Sequence, residues 1–145
     1  MMSPIFRNSI AVVAGLLVGS VVNMALVTIG PMLVPPPPGV DMTDMDSLAR
    51  SMDLFGPQHF LFPFLAHALG TLAGSTLAYF MAARNPRLLA LGIGAFFLLG
   101  GISAARMIPA PTWFVAMDLA LAYLPMAGLG IWLGRRLRER KKTDD

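Results

Sequence analysis

Residues 10–34 read IAVVAGLLVGSVVNMALVTIGPMLV. The run is 25 residues long and contains no Asp, Glu, Lys, Arg or His. Ser20, Asn23 and Thr28 are its notable polar side chains. A bilayer core about 30 Å thick is crossed by a helix of about 20 apolar residues. This stretch meets that length with residues to spare and predicts a membrane-crossing helix. A cleavable signal peptide would carry an apolar segment of only ~7–15 residues. A retained helix is therefore expected, despite Arg7 just before it.

Three further blocks share the pattern. Residues 60–83 contain His67 and Tyr79 but no full charge, 88–105 contain no charge, and 112–134 contain one acid, Asp118. The four blocks hold 90 of the 145 residues. Composition agrees: 56% of residues are hydrophobic, 13% are charged and the mean hydropathy is +0.67. Soluble domains carry about 25% charged residues. No strand-like alternation is sustained, which argues against a β-barrel. Cysteine is absent, which excludes disulfides, thiolate metal sites and a cysteine nucleophile.

The expected fold is thus an all-α membrane protein, a four-transmembrane-helix bundle in one domain over 1–145. Crossings are expected at about 8–30, 59–83, 88–106 and 112–134. An outer loop spans 31–58, and a basic cytoplasmic tail spans 135–145. The remaining residues are too few and too scattered for a separate soluble core.

Charge gives the orientation. Nine of the eleven Lys and Arg residues fall on one side of four crossings: Arg7, Arg84, Arg87, Arg135, Arg136, Arg138, Arg140, Lys141 and Lys142. The other side has Arg50 and Arg106. Basic flanks stay in the cytoplasm, so both termini are expected inside a bacterial inner membrane. Trp113, Trp132 and Tyr79 sit where interfacial aromatics belong. The run from Arg135 to Lys142 reads as a topology anchor that also attracts anionic lipid. No second feature supports nucleic acid, which is not an expected partner.

The outer loop opens with Pro35–Pro38, a stiff polyproline run. Asp41, Asp44 and Asp46 follow. Clustered carboxylates suit Ca²⁺, but the spacing lacks the glycine of an EF-hand loop. Thr43 with Asp46 matches a capping box instead. Met45, Leu48, Met52 and Phe55 then recur at helical spacing. A short amphipathic helix is expected over about 44–55, on the membrane face or over the bundle, ended by Gly56-Pro57.

Polar groups within crossings are costly and mark candidate sites. Counting depth from the helix ends places Asn23, His59, His67, Arg106, Asp118 and Tyr123 in the outer half. They form one candidate cluster, with Arg106 or His67 as partner for Asp118. A structural network, a ligand or proton site, and a metal or haem site are all open readings. His59 and His67 lie ~12 Å apart along a helix and ~80° apart around it. They cannot share one ion unless Pro63 distorts the segment, and no cofactor is expected. Gly15 and Gly19, and Gly70 and Gly74, form small-xxx-small pairs that suit close helix contacts. Pro125 should kink the last crossing and free the Leu121 carbonyl. Gly100-Gly101 reads as close packing or a flexible point.

Three runs carry a resemblance: PPPPGVDMTDMDSL at 35–48, HFLFPFLAHALGTLAG at 59–74, and PTWFVAMDL at 111–119 followed by YLPM at 123–126. With them the chain resembles a group of small four-helix bacterial integral membrane proteins, of the kind described only as hypothetical membrane proteins. The resemblance implies a helical bundle in the bacterial inner membrane. It carries no activity and no site residue.

No phosphate-binding loop, HExxH, GxSxG or dinucleotide fingerprint occurs. The expected function is a non-enzymatic scaffold, accessory subunit or self-associating protein, with a homo-oligomer or larger membrane complex as partner. An alternative is an oligomeric transporter or channel-like protein with a polar cavity at Asn23, His67 and Asp118. A second is a membrane enzyme using Asp118 and His67 as acid and base.

Overall fold

The computed structural model describes residues 2–144. Helix α1 spans Pro4–Leu33, α2 Met45–Arg50, α3 Leu61–Met81, α4 Pro86–Met107, α5 Thr112–Leu121 and α6 Leu124–Asp144. Short 3-10 turns lie at Met52–Leu54 and Pro57–Phe60. No strand is present among the described residues. Four helical segments are long and apolar enough to cross a membrane: Pro4–Leu33, Pro57–Met81, Pro86–Met107 and Thr112–Thr143. The protein is an all-α four-helix membrane bundle.

Small residues decide how the helices meet. The buried face of α1 is Ala11, Gly15 and Gly19, at four-residue intervals. It lies on Ala66, Gly70, Gly74 and Ala78 of α3, which are also buried. A Cβ on Gly74 would stand 2.6 Å from the Gly15 carbonyl oxygen, and one on Gly70 would stand 2.8 Å from that of Gly19. The two backbones therefore touch, as small-xxx-small packing requires. Gly15, Gly19, Gly70 and Gly74 make the close helix contacts expected of them, and they make them within the chain. The other side of α3 packs on α6, where Gly130 and Gly134 meet Ser75 and Tyr79. Helix α3 is thus central and touches α1, α4 and α6, whereas α1 barely meets α4.

The last crossing is broken. Residues 122–123 form a turn between α5 and α6. Pro125 has no N–H to continue the ladder through that point. Beyond it, α6 runs through the basic segment, so the expected tail is the end of a helix.

Both termini and the α3–α4 turn lie at one end. The Arg7 Nε donates to the Met81 carbonyl at 2.8 Å, and the Asn8 amide donates to that of Arg84 at 3.1 Å. Arg138 donates to the carbonyls of Phe80 and Ala82. These cations cap the C-terminus of α3, where carbonyls lack helical partners and the dipole favours positive charge. Arg138 is therefore a packed cap rather than a free anchor. Arg135, Arg136, Arg140, Lys141 and Lys142 are exposed. Arg136 stacks on the Trp132 ring at 4.4 Å.

The loop end is covered. Helix α2 is shorter than the expected 44–55 and gives way to a 3-10 turn. Its cap is Asp44, which accepts from the N–H groups of Asp46 and Ser47, and not Thr43. Thr43 turns back to Asp41, donating both its hydroxyl and its N–H to Oδ1. The Thr43 hydroxyl, more than the backbone bond, holds the exposed Asp41 carboxyl below the usual carboxylate range. Met52 is buried against Phe60 and Phe114, with Leu48 and Phe55 beside them. The loop thus lies over the bundle.

Candidate functional site

Asp118 is on the buried face of α5, one turn after Phe114. His67 is on α3 and points across to it. The His67 Nδ1 is 2.9 Å from Asp118 Oδ2 and 3.0 Å from Oδ1. A carboxylate only accepts, so Nδ1 carries the hydrogen. Tyr123 donates its hydroxyl to Asp118 Oδ2 at 3.0 Å. The Tyr123 and His67 rings stack with centroids 5.6 Å apart. Asp118 and Tyr123 are buried, while a quarter of the His67 side chain is exposed. Three of the six expected cluster members therefore form one bonded unit. The carboxylate fixes the imidazole tautomer, and Nε2 is left for another partner.

Local structure explains the pairing. Residues five apart lie ~140° apart around a continuous helix, which would keep Tyr123 away from Asp118. The break at 122–123 swings the phenol back. Space for it comes from α4, because a Cβ on Gly101 would overlap the Tyr123 hydroxyl. The Gly100-Gly101 pair was the sequence signal for this recess, and its role as Tyr123's socket was not legible. Gly101→Ala should displace Tyr123, break its bond to Asp118 and cost about 1–3 kcal/mol. Unfolding in mixed micelles and Tyr123 hydroxyl exchange by NMR would measure both effects. A variant with wild-type stability would count against the socket.

The other three members are not bonded to this unit. Asn23 lines a groove shared with His67 and Tyr123, but it bonds to neither. His59 belongs to the loop. Its Nδ1 accepts from the Gly56 N–H at 3.0 Å, and its Nε2 lies 3.1 Å from the Pro35 carbonyl oxygen. It clasps the start of the polyproline run to the turn before α3. Arg106 is exposed at the end of α4 and has no salt bridge among the described residues. It lies ~140° around α4 from Gly101, the position that faces the cluster. Similar depth did not bring it to Asp118.

A cavity of about 360 Å³ adjoins the cluster on the loop side. Met52, Phe60 and Phe114 form its apolar wall, Ala104 and Ala105 line it from α4, and His59, His67 and Asp118 are its polar part. Its size is typical of small-molecule pockets, which are mostly apolar with a few fixed polar groups. Among the described residues, no three His, Asp or Glu side chains converge as a metal set.

Comparisons with protein-family models, curated proteins and solved structures return no match to this chain.

Proposed function

We propose that this chain is a non-enzymatic, multi-pass protein of the bacterial inner membrane that accepts a small ligand from outside. The ligand enters the loop-side cavity and meets His67 Nε2. One observation carries the reading: a carboxylate-oriented imidazole stands in the wall of a largely apolar cavity of ligand size. Asp118 and Tyr123 hold the ring, and the ring presents one nitrogen that accepts when neutral and donates when protonated. Both termini are cytoplasmic in this reading, because Arg7, Arg84, Arg87 and the basic end of α6 share one end. The glycine stripes that favoured a self-associating scaffold are occupied within the chain. That leaves the ligand-binding and transporter-like reading better supported.

Access to His67 tests the proposal. Right-side-out and inside-out vesicles are treated with diethylpyrocarbonate, and modified residues are located by peptide mass mapping. His67 should react from the outer side only. Ala104→Phe, which fills the cavity, should slow its reaction at least about tenfold, a barrier of ~1.4 kcal/mol. His67 that stays unmodified in folded protein, or reacts only from the inner side, would overturn the reading.

A further inference from the structure

Below the loop-side cavity lies a second chamber of about 280 Å³, between α1 and α4 and floored by α3. Its mouth is framed by Ser20 and Met24 of α1 and Gly100 of α4, all exposed and all within crossings. It therefore faces the hydrocarbon sideways. Asn23, His67 and Thr71 lie inside it.

Thr71 is the informative residue. It is 1% exposed, and its hydroxyl is the one buried side-chain polar atom without a hydrogen-bond partner among the described residues. Helical threonines ordinarily donate to the carbonyl four residues back. Thr28 and Thr76 do so here, at 2.8 Å and 2.7 Å. Thr71 does not, so its hydroxyl is left spare at mid-membrane. An unpaired polar group costs several kcal/mol in a bilayer core, where no water competes for it. The Asn23 amide, one turn beyond Gly19 on the face of α1 that meets α3, opens onto the same chamber.

We propose that this groove binds the head of a neutral, membrane-dissolved amphiphile, a long-chain alcohol or a related hydroxyl- or carbonyl-bearing lipid. The amide of Asn23 supplies a donor and an acceptor at the chamber, and a small outward turn of Thr71 adds its hydroxyl, which is covered at rest. Its lining holds no Asp, Glu, Lys or Arg, which favours a neutral head over an ion. The volume equals about nine water-sized spaces of ~30 Å³ each, enough for a head and its first methylenes. The sideways mouth lets a hydrocarbon tail remain among the lipid chains. The groove shares the His67 and Gly101 wall with the loop-side cavity, but its other lining differs, and the proposal stands whether or not that cavity takes a ligand.

Photolabelling tests it. The full chain in lipid nanodiscs is irradiated with hexadecanol carrying a diazirine near the hydroxyl, and adducts are mapped by mass spectrometry. Adducts should concentrate at Met24, Phe97 and Gly100. Unlabelled hexadecanol should displace them, and hexadecane should not. Thr71→Val and Asn23→Leu should each lower groove labelling about two- to tenfold, the equivalent of one hydrogen bond. Thr71→Ser, which keeps the hydroxyl, should retain it. Thermal unfolding of each variant shows that the bundle is intact, and Ala104→Phe should leave groove labelling unchanged. Labelling spread along the exposed face of α1, equal competition by hexadecane, or wild-type labelling in folded Thr71→Val and Asn23→Leu would overturn the proposal. Those outcomes would mean a chamber filled by water or lipid tails alone.

Discussion

Gly74→Leu is expected to separate α1 from the rest of the bundle. The Gly74 Cα faces the Gly15 carbonyl so closely that even a methyl would lie 2.6 Å from that oxygen. Neither backbone can yield without moving a whole helix. Adding one methyl to a tight contact costs about 1–3 kcal/mol, and three more carbons cannot be absorbed locally. The closest contact of α1 is with α3, so the contact has no reserve. In hydrocarbon no hydrophobic force would bring the helices back together, since lipid chains solvate Leu as well as a neighbouring helix does. The helices would remain inserted but unpacked. Gly92→Leu is the control: nothing lies within 4 Å of a Cβ there, so stability should stay within about 0.5 kcal/mol of wild type. Unfolding by detergent titration, read from Trp113 and Trp132 fluorescence, would rank the two. A self-association motif would behave in the opposite way. Gly74→Leu would then lose oligomers and leave a stable monomer, and that result would overturn the packing described here.

The same contact shows what spacing can and cannot convey. Four-residue intervals of Ala and Gly marked one face of α1 and one of α3, because the helical period makes faces legible. They did not reveal that the two faces meet each other, since partner choice depends on where the loops deliver each helix. Run length was decisive for the four crossings because the bilayer fixes it physically. Depth was readable by counting, and it grouped His67 with Asp118. Azimuth was not, so Arg106 was placed with them although it points away. Tyr123 joined the cluster only because Pro125 breaks the last crossing. The break was foreseeable from the proline, but the direction of the chain after it was not. The length of α2 was misjudged for a related reason. Met45, Leu48, Met52 and Phe55 keep a helical period, yet the chain tightens to a 3-10 turn at Met52, which inserts beside Phe60 and Phe114.

Asymmetry between two single variants should expose the energetics of the His67–Asp118 pair. His67→Phe leaves the Asp118 carboxylate buried with only the Tyr123 hydroxyl for company. Breaking a buried pair from one side costs about 3–5 kcal/mol, because the remaining charge loses its partner without regaining water. Asp118→Leu strands a neutralisable imidazole that is already a quarter exposed, and the Tyr123 hydroxyl beside it. Its cost should be smaller, about 1–3 kcal/mol, the desolvation penalty of an unsatisfied hydroxyl. The double variant His67→Phe with Asp118→Leu removes both members of the pair and strands only the phenol. It should be more stable than His67→Phe alone, since apolar replacement of a whole buried pair is often neutral or favourable. Adding Tyr123→Phe should remove the last orphan and bring stability close to wild type. A cycle measured by detergent-titration unfolding reads these differences directly. If the four variants were instead additive, with the double variant worse than either single one, the three side chains would contribute through packing and not through their hydrogen bonds. The expected recovery has a functional corollary. A bundle that folds as well without the pair as with it has no structural need of a histidine and an aspartate within the crossings. The purpose of the pair would then lie in what His67 Nε2 faces, and not in holding α3 to α5.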